Sequence, residues 1–318
     1  MTIDIEPFFQ QQCAAWPSAG ANYSALNAVQ TKELMVGQVQ YRVQYNPGRI
    51  TSSASQVDAE SIANRPCFLC TDHLPSEQQT LGTYGHGYGH TYHILLNPYP
   101  IFPRHLTIKH VEHTRQLIFP TAPERLLDML EFAEELPGYT IFYNGAKCGA
   151  SAPDHFHFQV GNRGFMSIES QWRKLSPMEL ASFRSGKSTV YVLLGDLFRR
   201  ALIVEGSDAG GIFELTEKVM HGVWGNTPEE PPVNLLAWYE GGRYTLCIIP
   251  RAAHRPRCYY AKGNARLLSS PGAVDLGGLF VLPRQEDFEK ITGRHLAQIL
   301  SEVCLYADYD WKITYSRL

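Results

Sequence analysis

The sequence predicts an α+β fold built from two fused modules, and three observations predict it. Strand-length alternating segments before residue 175 are joined by short returns around a single long amphipathic helix; the same pattern restarts beyond Lys174; and Asp154 to Val160 alternates polar and apolar residues. Neighbouring strands with short connections pair antiparallel, and a helix then packs on the sheet they form. The modules are expected at 1–180 and 181–318, with the boundary near Ser176 to Lys187.

In chain order, Glu33 to Tyr45 alternates enough to read as one strand, closed by the turn sequence Asn46-Pro47-Gly48. Ser52 to Asn64 is polar and small and reads as a loop. Tyr84-Gly85-His86-Gly87-Tyr88-Gly89-His90 reads as a flexible surface loop, because its glycines give it no rigidity for a metal tract. His93 to Leu96 and Leu106 to Ile108 read as strands around the proline-rich Asn97 to Arg104. Thr121-Ala122-Pro123-Glu124 has the form of a capping box, and Leu126, Leu127, Leu130, Ala133 and Leu136 then share a helix face that stops before Pro137-Gly138. Tyr139 to Tyr143 follows as a strand. In the second half, Thr189 to Leu194 and Ala201 to Glu205 read as strands and Ile212 to Trp224 as an amphipathic helix. Val233 to Tyr239 and Arg243 to Pro250 form a hairpin about Glu240-Gly241-Gly242, and His295 to Tyr306 closes as a helix.

Composition narrows the function. An apolar fraction of 44% in 318 residues supports a substantial core and argues against disorder. A formal charge of -3 gives no global attraction to nucleic acid or to an anionic membrane, so an anionic substrate must be held by local groups. No apolar run reaches the length of a membrane helix, and the acidic start Met1-Thr2-Ile3-Asp4-Ile5-Glu6 lacks the order of a secretion signal. A cytoplasmic protein, able to form a homodimer, is expected. Its seven scattered cysteines fit reduced thiols or a metal site better than a secreted disulfide framework.

The chemistry concentrates in Asp154-His155-Phe156-His157-Phe158-Gln159-Val160. On a strand, His155, His157 and Gln159 share one face while Phe156, Phe158 and Val160 bury the other. The stretch before it, Tyr143 to Pro153, is rich in small residues and holds one Asn, one Lys and one Ser, so a phosphate could approach its backbone N–H groups closely. A nucleophile-bearing strand behind a phosphate-sized loop points to phosphoryl or nucleotidyl transfer. Cys67-Phe68-Leu69-Cys70 is the second signal, since such a pair brings two thiolates within reach of one zinc. Two buried core cysteines or a redox pair are the alternatives, the last disfavoured because no helix start follows Cys70.

These residues resemble the histidine-triad superfamily, and specifically its transferase branch, where Gln replaces the third histidine of a His-x-His-x-His pattern. That branch holds galactose-1-phosphate uridylyltransferase, diadenosine tetraphosphate phosphorylase and the GDP-hexose phosphorylases. Asp154 to Gln159 is most similar to the last of these. Asn97 to Ile108 resembles the family's entry strand, and Leu202 to Gly206, Val233 to Leu236 with Gly242 to Pro250, and Gly277 to Asp287 resemble its carboxy-terminal half.

The resemblance implies two fused histidine-triad-like modules, of which only the first carries the motif. It implies His157 as the nucleophile that takes the nucleotidyl group and Gln159 as a donor to a phosphate oxygen. Asn144 and Ser151 match the phosphate-loop positions, although Asp154 makes the stretch from Ser151 to His155 one residue longer than in uridylyltransferases. Lys147 is a candidate for the incoming phosphate, its alternative being a solvated lysine. Asn97, Tyr99 and Phe102 are candidates for the base pocket. The implied zinc ligands are Cys67, Cys70, His113 and His155, with His110 competing for the third place, although GDP-hexose phosphorylases do not generally show the cysteine pair. The implied substrates are a nucleotide sugar, such as a GDP-hexose, and orthophosphate or a sugar phosphate. A uridylyltransferase, a dinucleoside polyphosphate phosphorylase and a non-catalytic nucleotide-binding zinc protein are the alternatives.

Overall fold

The computed structural model describes residues 2–50, 57–183 and 187–305. Ten antiparallel strands form one sheet in the order β3(Thr80–Tyr84), β4(Tyr92–Leu96), β5(His105–His110), β7(His157–Asn162), β6(Tyr139–Asn144), β11(Val233–Glu240), β12(Arg243–Pro250), β10(Leu202–Gly206), β9(Ser188–Leu193) and β8(Pro177–Phe183). The pairing of β6 with β11, where Asn144 stands opposite Asn234, makes the sheet continuous across the two halves of the chain. A smaller sheet holds β1(Gln30–Val36), β2(Val39–Tyr45) and β13(Leu279–Leu282), the last running parallel to β2. The fold is therefore the α+β class that the strand spacing predicts.

Period-two alternation gives the large sheet two apolar faces and so two cores. Ile94, Ile108, Phe156, Phe158, Val204 and Leu246 belong to the first, which the helices Arg125–Glu135 and Ala209–Trp224 cover. Phe142, Leu236, Trp238, Cys247 and Ile249 belong to the second, packed against the small sheet and the helix Gly293–Val303. No helix among the described residues is long and apolar enough to cross a membrane.

Several local expectations are corrected. Glu33 to Tyr45 is not one strand: β1 and β2 form a hairpin, and the turn is made by Gly37 at φ +59, the isolated glycine inside an alternating run. Within Ser52 to Asn64, residues 52–56 lie outside the described ones, but Asp58 caps a short helix at Ala59–Ala63 by accepting from Ser61 N–H. The capping box at Thr121 does not form, because the helix begins later, with Glu124 at its N-cap and no side-chain cap. The expected boundary region contains β8, paired with β9. The last helix ends at Val303, and Tyr306 lies outside the described residues.

The Gly/Tyr/His segment is docked rather than flexible. His86 Nε2 meets Glu135 at 3.0 Å, His90 Nδ1 meets the buried Asp128 at 2.7 Å, and the Tyr88 hydroxyl donates to Glu131. Carboxylates on one face of the helix Arg125–Glu135 supply what the glycines lack.

Candidate active site

β7 stands between β5 and β6, which places Gln159 opposite both Thr107 and Phe142. The alternation buries Phe156 and Phe158 in the first core and turns His157 and Gln159 to the opposite face. There they line a cavity of about 560 Å³ together with Asn97, Tyr99, Asn144 and Ser151. The motif and the small-residue loop are thus brought together in space.

His157 is held by its own backbone. Its Nδ1 lies 2.9 Å from the carbonyl oxygen of His155, which fixes the proton on Nδ1 and leaves Nε2 unprotonated. Burial lowers its pKa, so the ring stays neutral at physiological pH. The strand around it is clamped by Gln116, a buried residue that sequence reasoning missed. Gln116 accepts from the His157 N–H at 2.8 Å and donates to the carbonyls of His157 and Asn144 at 3.0 and 2.9 Å. A glutamine in a loop carries no periodic signal, so only the fold reveals it.

Gln159 Oε1 lies 3.0 Å from Nε2 of the buried His105. Burial, reinforced by Arg49, pushes the His105 pKa down to about 3, so that ring is neutral. Asn144 accepts through Oδ1 from Asn234 Nδ2 at 2.8 Å and from the Ala273 N–H at 2.7 Å, which orients its amide at the cavity wall. The loop after Asn144 needs glycine at one point above all: Gly149 has φ +100, and a Cβ there would stand 2.9 Å from Gly272 Cα.

Other sequence candidates fall differently. Lys147 does not line the cavity; its Nζ pairs with Glu229 at 2.7 Å and its side chain is 70% exposed. Asn97 lines the cavity but holds its own turn, donating to Thr107 Oγ1 and accepting from the Tyr99 N–H. Tyr99 is at the wall, whereas Phe102 is fully buried against Phe142 and His105 and belongs to the core. The second half adds His254, Arg255, Ser270 and Asp275 to the wall, none of which the sequence pattern singled out.

Next to the motif strand, Cys67, Cys70, His113 and His155 bring one ligand atom each to within 4.8 Å of one another. Their sulfur-to-nitrogen separations are 3.4 Å for Cys67 and His155, 3.1 Å for Cys70 and His113, and 3.7 Å for Cys70 and His155. Tetrahedral zinc with ordinary bond lengths requires about 3.6 Å between sulfur and nitrogen ligands, so the four residues fit a metal ion of that kind. His155 Nε2 lies 2.8 Å from the His110 carbonyl oxygen, which leaves Nδ1 as the ligand atom. His110 takes part through its backbone, while its side chain accepts from the Glu112 N–H. The additional Asp154 has a partner here as well: it pairs with Arg65 at 2.7 Å and ties the cysteine segment to the motif strand.

Comparison with known proteins agrees with this geometry at the level of fold. The yeast Ap4A phosphorylase Apa2 in complex with Ap4A matches with TM-score 0.57 and 17% identity, over 91% of this chain and 96% of its own. The same enzyme in complex with AMP matches with TM-score 0.56 and 16% identity, over 89% of this chain and 93% of its own. The chain thus shares the fold of these structures along most of its length. Residues 8–162 match a family model described as Domain of unknown function (DUF4922). No curated protein matches the chain.

Proposed function

We propose that this chain is a nucleotidyltransferase of the phosphorylase type, working through a nucleotidyl-histidine. In the first half-reaction the His157 Nε2 lone pair attacks the α-phosphorus of a bound nucleotide, the bond to the leaving phosphate breaks, and that oxygen takes the electron pair. In the second, an oxygen of orthophosphate attacks the same phosphorus, the P–N bond breaks, its electrons return to Nε2, and a nucleoside diphosphate leaves. Residues 1–180 carry this chemistry in our reading, and His254, Arg255, Ser270 and Asp275 of the second module help to close the cavity.

The observation that carries the reading is the neutral His157, its Nδ1 fixed by the His155 carbonyl, in a cavity shared with Gln159 and the Gly149 loop. Gln159 can donate a hydrogen bond but cannot deliver a proton, which suits a phosphate leaving group that needs none. The resemblance of the motif favours a nucleotide sugar, such as a GDP-hexose. The end-to-end structural likeness to an Ap4A phosphorylase favours a dinucleoside polyphosphate as the second reading. In either case we assign zinc to Cys67, Cys70, His113 and His155, where four protein ligands leave no open position and the ion stiffens the strand carrying His157.

The test is a substrate panel of GDP-hexoses, UDP-glucose with a sugar phosphate, and Ap4A, each with and without orthophosphate. Nucleoside diphosphate formed only with orthophosphate supports a phosphorylase. Nucleoside monophosphate formed regardless of orthophosphate indicates a hydrolase, and tight binding without turnover indicates a binding protein.

A further inference from the structure

Polyphosphate substrates need a cation, and Lys147, the one charged residue of the loop between Asn144 and Ser151, faces away from the cavity toward Glu229. Among the described residues, two guanidinium groups stand at the cavity wall instead, Arg49 and Arg255, with one carboxylate, Asp275. Arg49 donates to the Tyr99 carbonyl at 2.6 Å, and the Asp275 carboxylate favours its charged form. Asp275 is itself fastened by the N–H groups of Gly272 and Val281.

Arg255 is tied to the phosphate loop through its neighbours. Its Nε donates to Ser270 Oγ at 2.9 Å, and its guanidinium lies over the Tyr259 ring, 4.3 Å from the centroid. The backbone that carries it is fixed to the loop by the buried Arg251, which donates to the carbonyls of Cys148, Pro271 and His254 at 3.4, 3.1 and 3.0 Å. His254, adjacent to Arg255, faces the backbone of Lys147.

In-line displacement adds a constraint. The leaving phosphate departs from the side of phosphorus opposite the His157 nitrogen, and the acceptor must later attack from that same side. One anion subsite therefore serves both half-reactions. We infer that Arg255, oriented by Ser270 and Tyr259 against the phosphate loop, is the cation of this subsite, holding the leaving phosphate first and orthophosphate second. The inference rests on the nucleotidyl-histidine reading for its catalytic meaning. As an anion site it stands on the geometry alone.

Calorimetric titration of the whole chain with orthophosphate and with tripolyphosphate separates the two. Arg255→Met should weaken both by about 10-fold or more, as expected for loss of a charge-assisted contact. Arg255→Lys should weaken them less, and Lys147→Met should leave them unchanged. Should Arg255→Met melt early, Arg255→Lys decides: binding weaker than that of Lys147→Met upholds the assignment, and equal binding overturns it. A stable Arg255→Met that binds tripolyphosphate as the wild type does also overturns it, as does loss of binding in Lys147→Met. Labelling of His157 by a nucleotide substrate is followed separately. Its failure in the wild type defeats the transferase reading and leaves the anion-site result standing.

Discussion

His105 decides which end of the Gln159 amide faces the cavity. Its Nδ1 accepts from the Ile101 N–H at 3.1 Å, so the proton sits on Nε2 and is donated to Gln159 Oε1 at 3.0 Å. The amide NH₂ is left as the cavity-facing donor. His105→Ala should release this orientation and lower kcat by about 10-fold with little change in KM, whereas Gln159→Ala, which removes the donor itself, should cost about 10²-fold or more. Because His105 is neutral with a pKa near 3, the His105 contact should add no inflection to the pH–rate profile between pH 5 and 9. Steady-state kinetics of both variants across that range is the check.

The proposed role of His157 has a chemical signature. Wild-type protein given substrate without acceptor should retain a nucleotide on His157 that survives alkali and is released by acid, and His157→Ala should lose both label and turnover. An active, labelled His157→Ala protein is the outcome that sinks the mechanism.

For the metal, the four ligands predict about one zinc per chain by elemental analysis. Cys67→Ser and His113→Ala should lower zinc content and melting temperature together. His110→Ala should keep the metal, because His110 supports His155 through a backbone carbonyl that the substitution leaves in place. Full zinc retention in His113→Ala would remove that residue from the ligand set.

Gln116→Ala should leave the His157 N–H and the Asn144 carbonyl buried without their partner, at a cost of about 1–3 kcal/mol per unsatisfied group. A lowered urea midpoint is expected, with a fall in kcat larger than any change in KM. Wild-type stability in this variant would show that the strand does not depend on the clamp.

Glu230 provides a test by pH. Burial, only partly offset by hydrogen bonds from the Ile118 and Phe119 N–H groups and the Tyr143 hydroxyl, pushes its carboxyl up to about 7. The unfolded chain titrates this group near 4.5, so the folded protein holds a proton that the unfolded chain has lost. The resulting stability is complete below about 4.5, declines above it, and is gone once pH has risen through 7, a loss on the order of 2 kcal/mol between pH 5.5 and 8. Urea unfolding of Glu230→Gln should show that much less dependence on pH than the wild type.

The sequence by itself determined what depends on local periodicity. Alternation marks β4, β5, β6, β7, β9, β10, β11 and β12, the two glycines of Glu240-Gly241-Gly242 mark a hairpin, and the spacing of His157 and Gln159 puts them on one strand face, whereas β3, β8 and β13 are not legible in it. Periodicity is weaker where local preference is neutral: Gly37 reads as strand interior, and the Gly/Tyr/His segment as a loose loop, because its anchors lie about 40 residues away on the helix Arg125–Glu135. Only the tertiary structure could choose His113 over His110, turn Lys147 outward, and bring Gln116, His105 and Arg255 to the site. Each of these is settled by contacts between residues far apart in the chain, and side-chain direction across such distances leaves no periodic trace in a sequence.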